Sequence, residues 1–420
     1  AGVEGRPDAV LEREQLVGRE EALAHEDLGP IELAARALDD GVDPVQVGFV
    51  DEAALEGGFN QLLVEVSHGP TLRAFVALSP TSRRAWSFSE TLGVPLSRVF
   101  RVKVFRPLPS LLGNPHFQTL AASLISLARE PVSTCVPVDL GDGDRLALEI
   151  TTPEGWTKDN GTVVLLHGLS GDHRSAYMRR LANKLARWNV RAVRFNMRDA
   201  GSGEGWARRP YHGGLSSDLQ IALEQLLPSS GPMSVWGFSL GGNVALKLAG
   251  ELGEDGPRLL RQVIAVCPAT DLVRCVERIM LPENRIYQWG FVRECRAMAL
   301  RRFDRYPDLE RFEIPENMRM VDFDNLYIVP IWGFEDAYDY YRKASARPWL
   351  PEIRVPTRIL MSNDDPIVCP GVITKQELPK DVKLKRTAFG GHLGFLAKTP
   401  DHGVQWMDRQ LFAWHANLAV

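Results

Sequence analysis

The sequence has few cysteines and no long apolar run. Its five cysteines are scattered over 420 residues, and none stands in a Cys-x-x-Cys pair. This spacing excludes a disulfide-stapled scaffold and favours reduced thiols, so we expect a cytoplasmic protein. No apolar stretch approaches the roughly 18–20 residues of a membrane-spanning helix, and the N-terminal stretch is acidic. We therefore expect neither a membrane anchor nor a signal peptide.

The sequence also lacks an excess of basic charge. A formal net charge of −4 argues against a nucleic-acid partner. Residues 1–60 contain 15 Asp and Glu against 4 Arg, so the rest of the chain is net positive. We predict that residues 1–102 form an acidic N-terminal extension or small subdomain, with a hairpin at 62–78. Two hypotheses for its role are that the arm folds back over a basic part of the chain and gates a site opening, or that two subunits pair through it as a homo-oligomer.

Apolar strands alternate with helical stretches from about residue 103. The strands read RLALEI, TVVLLHG, VRAVRFN, MSVWGF and RQVIAVCP, and after a long interruption TRILMSNDD and VKLKRTAFGG. This alternation predicts an α/β fold with a mostly parallel, doubly wound sheet covered on both faces. We expect the core to comprise residues 103–272 and 351–420, and the interruption at 273–350 to be a helical cap.

The stretch WGFSLGGN at 236–243 places a serine between glycines at a strand-to-helix turn. Gly-x-Ser-x-Gly in this setting is the nucleophile-elbow pattern. Gly237 and Gly241 would let neighbouring backbone pass close to Ser239, whose hydroxyl would point outward. The alternative interpretation is a glycine-rich helix start with a serine cap.

A serine nucleophile needs a histidine base and an acid that orients the base. TRILMSNDDPIV places Asp364 and Asp365 just past a buried strand, and FGGHLGF places His392 after the last strand. The order serine, acid, histidine then gives Ser239, Asp365 and His392. Asp364 stays open as an alternative acid, its other role being to cap the turn.

The oxyanion of an attacked carbonyl would need backbone N–H donors. In a fold with this serine turn these come from the residue after the nucleophile and from the loop after the third strand, which here are Leu240 and Leu169. We expect His167, in the same loop, to be structural. Asp172 and His173 lack a second cluster at ligand spacing, so we expect neither a metal site nor a cofactor.

Several motifs occur together in the order seen in one family: GNPHFQTL, HGLSG, RFNMRDAGSG, YHGGLSSDL, WGFSLGGN, WGFEDAYDYYRKAS, NDDPIV and GGHLGF. Across about 103–415 the chain resembles the α/β-hydrolases that include the mammalian abhydrolase-domain proteins one and three, the plant embryogenesis-associated hydrolases, bacterial hydrolases of the same type and the fungal ethyl-ester synthases. The resemblance implies the same three catalytic residues and a carboxylesterase, with some relatives acting as acyltransferases or phospholipases.

The chain departs from that family in two places. Asp199 and Ala200 stand where relatives usually carry glycine and a small residue or cysteine, which would alter the rim of the pocket. Residues 1–102 have no counterpart among the relatives, and the membrane anchor of the eukaryotic members is replaced by the acidic arm. We therefore expect a soluble acyl ester or thioester as substrate rather than a bilayer lipid.

The predicted cap is rich in arginine and has no lysine between residues 273 and 319. Ten arginines there could bind an anionic group, since the guanidinium fork suits carboxylates and phosphates. Eight acidic residues are interleaved with them, and this pattern is also typical of a solvated surface with mixed ion pairs. The aromatic residues of this region are expected mostly in the core.

Three hypotheses follow from these residues. The first is a serine hydrolase that cleaves carboxylic esters through an acyl-enzyme on Ser239. The second is an acyltransferase or thioesterase that forms the same acyl-enzyme and passes the acyl group to an alcohol, an amine or water. The third is a non-catalytic binding protein on a hydrolase fold, against which the complete set of predicted site residues argues.

Overall fold

A computed structural model of the chain describes residues 46–48, 62–68, 72–78, 114–124, 128–375, 378–397, 399 and 404–417. The chain divides into two units, one of residues 1–101 with 400–402 and one of residues 102–399 with 403–420. Most of the predicted acidic extension lies outside the described residues. Its extent, its role in pairing subunits and the domain boundaries therefore stay predictions.

Three strands are described in the first unit. They are β1 (Gln46–Gly48), β2 (Leu62–His68) and β3 (Leu72–Leu78). They form an antiparallel sheet in the order β1-β2-β3, in which Leu62 pairs with Leu78 and His68 with Leu72. The pairing of β2 with β3 is the hairpin predicted for residues 62–78.

The second unit is built on an eight-stranded sheet in the order β11-β10-β9-β8-β6-β7-β5-β4. Its strands are β4 (Thr134–Asp139), β5 (Arg145–Thr151), β6 (Thr162–Leu166), β7 (Arg191–Phe195), β8 (Met233–Phe238), β9 (Leu260–Val266), β10 (Thr357–Ser362) and β11 (Val382–Thr387). Strands β6 to β11 pair in parallel, and β5 is antiparallel to both β4 and β7. The predicted mostly parallel sheet is thus confirmed.

Both faces of this sheet are buried, which explains why its central strands are apolar throughout. In β6, Val164 and Leu166 belong to the hydrophobic core on one face, and Val163 and Leu165 to the core on the other. Side chains alternate between the faces of a strand, so a strand covered on both sides needs an unbroken apolar run.

Helices cover the sheet and fill the long interruption between β9 and β10. They are α1 (Pro115–Leu124), α2 (Ala176–Arg187), α3 (Ser216–Ser230), α4 (Leu240–Leu252), α5 (Gly256–Leu259), α6 (Leu272–Ile279), α7 (Arg285–Arg305), α8 (Met320–Leu326), α9 (Ile328–Trp332), α10 (Ala337–Ala344) and α11 (Trp406–Asn417). Short 3₁₀ helices lie at Lys158–Asn160, Gly201–Gly203, Gly253–Asp255, Pro282–Asn284, Arg347–Glu352 and Pro370–Val372. Helices α6 to α10 occupy the segment that the sequence predicts to be helical. In the part of the chain that is described, no helix is both long and apolar enough to cross a membrane.

The sequence pattern does not predict strand β4. This strand lies at the edge of the sheet, pairs only with β5 and buries only Val138 among its six residues. It also contains Pro137, which an edge strand tolerates because one side of its backbone needs no ladder partner. A mostly exposed strand interrupted by proline gives no apolar run for sequence reasoning to detect.

Helix α4 is buried along nearly its whole length, and Gly250 marks its closest contact. A Cβ atom at this position would overlap the backbone carbonyl and the Cβ of Trp349 in the 3₁₀ helix Arg347–Glu352. Backbone cannot move aside as a flexible side chain can. The absence of a side chain at Gly250 therefore sets how near α4 lies to this segment.

We predict that Gly250→Ala lowers the free energy of unfolding by about 1–3 kcal/mol, the usual cost of overpacking. Gly290→Ala in helix α7 is the matched control, since a Cβ there would meet nothing within 4 Å. That change should be neutral or stabilise by up to about 1 kcal/mol, because alanine is the better helix former. Chemical denaturation of both variants measures the difference, and equal effects would contradict the packing described here.

Candidate active site

Ser239 stands at the sharp turn between β8 and α4. Its backbone has φ +53° and ψ −117°, a conformation that L-residues rarely adopt. A Cβ atom on Gly241 would lie 2.5 Å from the carbonyl oxygen of His167, and one on Gly237 would overlap the backbone of Gly241. The close approach of these segments therefore requires glycine on both sides of the serine, as the elbow pattern indicates.

The structure brings Ser239, His392 and Asp365 together. Oγ of Ser239 lies 2.9 Å from Nε2 of His392, and Nδ1 of the same ring lies 2.9 Å from Oδ2 of Asp365. Both Asp365 and His392 are buried. The other carboxylate oxygen of Asp365 accepts hydrogen bonds from the amides of Ile367 (2.8 Å) and Val368 (2.9 Å). These bonds fix the carboxylate that faces the imidazole.

The loop that carries His392 is held by three residues from two other segments, α1 and the end of β10. The hydroxyl of Thr119 in α1 accepts the amide of His392 at 2.9 Å, and the hydroxyl of Ser362 donates to the carbonyl of Gly391 at 2.7 Å. Asp364, the alternative acid of the sequence analysis, accepts the amide of Gly391 at 2.9 Å. Its carboxylate thus binds the backbone of the histidine loop, while that of Asp365 binds the ring.

Two of the supporting residues were not anticipated from the sequence. Arg278 of α6 donates to the backbone carbonyl of Asp365 at 2.7 Å, and Thr119 binds the histidine loop. Thr119 lies in the motif GNPHFQTL, which is part of the family resemblance but carried no assigned role. Arg278 stands among ten arginines of similar spacing, so no sequence signal distinguished it.

The backbone amides of Leu169 and Leu240 are free in the part of the chain that the structure describes. On either side of Leu169, the amide of Gly168 donates to the hydroxyl of Tyr177 (3.1 Å) and the amide of Ser170 to that of Tyr211 (2.7 Å). Leu240 begins helix α4, where the first N–H groups have no intrahelical acceptor. Both predicted donors are therefore available to a ligand.

The other histidine of this loop has a structural contact. His167 is fully buried, its Nε2 accepts the amide of Met197 at 3.1 Å, and Nδ1 lies 2.8 Å from the carbonyl of Gly168. Burial lowers the pKa of His167, which keeps the imidazole neutral with the proton on Nδ1. This contact matches the structural role that we expected.

Within the described residues, one group of side chains lies close enough together to be considered as a metal site. Donor atoms of Cys267, Asp365 and His392 lie within 4.8 Å of one another. Burial and the neighbouring Asp365 raise the pKa of the Cys267 thiol well above its ordinary value, so the thiol keeps its proton. Metal binding needs the thiolate, and the other two groups are hydrogen bonded to each other. These residues do not fit a metal ion.

A cavity of about 50 Å³ adjoins the two free amides and is lined by Leu169 and Leu240 among other residues. Asp199, which departs from the family pattern, also lines it, as does Asp324 of helix α8. Burial raises the pKa of both carboxyls, that of Asp324 to about 7. From the sequence we expected Asp199 to affect the pocket. No sequence pattern indicated that Asp324 would line it.

The arginines of the helical segment mostly pair with neighbouring acids. The ion pairs are Arg274–Glu277, Arg293–Glu294, Arg296–Glu316, Arg301–Glu204, Arg305–Glu204, Arg311–Asp304 and Arg319–Asp322. Since most of these side chains are exposed, each pair contributes little to stability. The sequence left two interpretations of this segment, an anion-binding site and a solvated surface with mixed ion pairs. The observed pairing favours the second.

Comparison with known proteins agrees with this geometry. The family described as the alpha/beta hydrolase fold matches residues 161–319. "Putative esterase YheT" of Escherichia coli (strain K12) is 29% identical over 307 residues, covering 72% of this chain and 90% of the relative. "Phospholipase ABHD3" of Homo sapiens is 26% identical over 257 residues, covering 59% and 62%. "Monoacylglycerol lipase" of Saccharomyces cerevisiae (strain ATCC 204508 / S288c) is 27% identical over 249 residues, covering 56% and 54%.

The resemblance drawn from the sequence motifs is thereby confirmed. The serine turn follows β8 at the centre of the sheet and lies within the residues that the family matches. The second unit of the chain has the alpha/beta hydrolase fold, and its sequence is similar to proteins of the abhydrolase-domain type.

Proposed function

We propose that this carboxylic-ester hydrolase works through an acyl-enzyme on Ser239, with His392 as the base, Asp365 as the acid that orients it, and the amides of Leu169 and Leu240 as the oxyanion hole. The observation that carries the proposal is the chain of two 2.9 Å hydrogen bonds from Oγ of Ser239 through the ring of His392 to Asp365. Such a relay is what an alcohol nucleophile needs at neutral pH.

In the acylation step, Oγ of Ser239 attacks the carbonyl carbon of the ester while Nε2 of His392 takes its proton. The carbonyl oxygen becomes an oxyanion, and the N–H groups of Leu169 and Leu240 donate hydrogen bonds to it. As the tetrahedral intermediate collapses, the C–O bond to the alcohol breaks and the imidazolium returns the proton to the leaving oxygen. The acyl group remains on Ser239.

Deacylation repeats these steps with water as the nucleophile. His392 takes a proton from water, the resulting hydroxide attacks the acyl carbon, and Oγ leaves with the proton from the imidazolium. Asp365 keeps the Nδ1 proton of the ring in place and stabilises the imidazolium in both halves of the reaction. Its bonds to two backbone amides hold the carboxylate in that orientation.

Ester hydrolysis is supported by what the relatives are named: an esterase, a phospholipase and a monoacylglycerol lipase. The complete set of groups gives no support to the non-catalytic hypothesis. Transfer of the acyl group to an alcohol, an amine or a thiol would use the same acyl-enzyme and stays a prediction. The cytoplasmic location and the soluble acyl ester as substrate also stay predictions.

We predict that Ser239→Ala lowers kcat for a p-nitrophenyl ester by about 10⁶-fold, the usual effect of removing the nucleophile of such a triad. Ser229→Ala is the matched control, since that hydroxyl only bonds the carbonyl of Leu226 near the end of α3. It should leave kcat unchanged. More than a few per cent of the activity remaining in a folded Ser239→Ala protein would exclude this serine as the nucleophile.

The two neighbouring aspartates allow a sharper test of the acid. Asp365→Asn should lower kcat by about 10⁴-fold, because an amide no longer holds the Nδ1 proton and stabilises no imidazolium. Asp364→Asn should cost less than about tenfold, since the amide oxygen can still accept the N–H of Gly391. Steady-state kinetics on the two variants measures this ranking, and the reverse order would move the acid to Asp364.

A further inference from the structure

The cavity beside the free amides has an unusual wall for an acyl pocket. Besides Leu169 and Leu240, its lining includes aromatic rings and two carboxyls: Tyr211, Phe323, Tyr327, Tyr340, Asp199 and Asp324. Its volume of about 50 Å³ has room for roughly four water-sized groups. The cavity therefore suits a short chain that ends in a polar group.

Asp324 is a buried carboxyl with one hydrogen-bond partner in the described part of the chain. The residue is only 3% exposed. Oδ2 accepts a hydrogen bond from the hydroxyl of Tyr341. For Oδ1, the described part of the chain supplies neither a hydrogen-bond donor nor an ion pair. A buried carboxylate oxygen on a cavity wall without a donor is costly unless a ligand or water supplies one.

Asp199 adds a second carboxyl to the same wall. Its backbone has φ +56°, in the region that favours glycine. Oδ1 accepts the amide of Gly205 at 2.6 Å and lies 3.5 Å from a guanidinium nitrogen of Arg305. The chain thus places a buried acid at the cavity in a conformation that is unfavourable for it.

The cations near the cavity are already engaged. Arg198 lines it, but its guanidinium binds the carboxylates of Asp142, Asp144 and Asp218. Arg302 donates to the backbone carbonyl of Arg208 and lies 3.5 Å from the hydroxyl of Tyr327. The wall therefore offers acceptor oxygens and aromatic rings, the two kinds of group that bind an ammonium ion.

The position of the cavity shows which half of an ester would enter it. The carbonyl carbon would lie between Oγ of Ser239 and the amides of Leu169 and Leu240, and both leucines line the cavity. The leaving alcohol must face His392, which donates the proton. The cavity lining includes both leucines of the proposed oxyanion hole but neither Ser239 nor His392. Because the cavity lies on the side of the leucines, we assign it to the acyl chain.

We propose that this cavity binds an ammonium group on a short acyl chain, so that the enzyme prefers aminoacyl esters over esters of the corresponding neutral acids. The inference rests on the proposed function, since it takes Ser239 as the acyl acceptor. It assigns Asp324, with Asp199 beside it, as the residue that determines this specificity. A neutral hydroxyl in place of the ammonium is the alternative that the test must exclude.

The test uses three p-nitrophenyl esters of equal chain length, the 3-aminopropanoate, the butanoate and the 3-hydroxypropanoate. Each kcat/KM is divided by the rate of uncatalysed hydrolysis of that ester. The wild-type enzyme should prefer the aminopropanoate over both others by about tenfold or more, the effect of one charge-assisted hydrogen bond. Asp324→Asn should abolish most of this preference.

Asp304→Asn is the matched control, because it removes the same charge from an exposed position of helix α7. It should keep the preference, which excludes a general change in the field of the protein. A wild-type enzyme that cleaves the butanoate through Ser239 without preferring the aminopropanoate overturns the inference and leaves the proposed function intact. Activity that survives Ser239→Ala overturns the proposed function instead.

A second measurement needs no variant at this position, in case Asp324→Asn fails to fold. Propylammonium and 1-propanol match in chain length and differ in the charged group. As competitive inhibitors of butanoate hydrolysis by the wild-type enzyme, propylammonium should act at a concentration about tenfold lower than 1-propanol. Equal inhibition by the two compounds would overturn the ammonium site.

Discussion

The site depends on how closely three backbone segments approach one another at the end of β8. Ser239 has φ +53°, and the glycines at 237 and 241 permit the close backbone approach around it, since a Cβ at either position would overlap neighbouring backbone. A Cβ on Gly168 would also lie 3.2 Å from the Cβ of Ser239. This one constraint exposes the serine hydroxyl, starts helix α4 at Leu240 and brings the loop of Leu169 alongside.

The second requirement is that the imidazole of His392 be fixed in position and orientation. Asp364, Thr119 and Ser362 bind the backbone of the loop that carries His392, and two amides fix the carboxylate of Asp365. Hydroxyls of the partly buried Tyr177 and the buried Tyr211 hold the loop of Leu169 in the same way. Groups fixed before the substrate binds need no reorganisation during the reaction, which is how a site of neutral dipoles can stabilise an oxyanion.

The sequence predicts those parts of the molecule that are determined by residues close together in the chain. The central strands are recognisable because burial on both faces demands unbroken apolar runs, and the elbow because its glycines are imposed by contact within a few residues. Contacts between distant segments leave no such pattern: Thr119 and His392 are 273 positions apart. Asp324 looks like any acid on a helix, and its burial becomes visible only when α8 is placed against the cavity. The edge strand β4 could not be predicted because only one of its residues is buried, so it has no apolar pattern.

The central claim is that the acyl group of the substrate is carried by Ser239. A fluorophosphonate reacts with an activated serine by forming a bond from Oγ to phosphorus with loss of fluoride, so it marks the nucleophile directly. Peptide mapping by mass spectrometry after labelling the intact chain identifies the residue. We predict one adduct per chain, on the peptide that contains Ser239, with loss of ester hydrolysis in proportion to labelling. An adduct on another residue that tracks the loss of activity, or full labelling of Ser239 with activity retained, would contradict it.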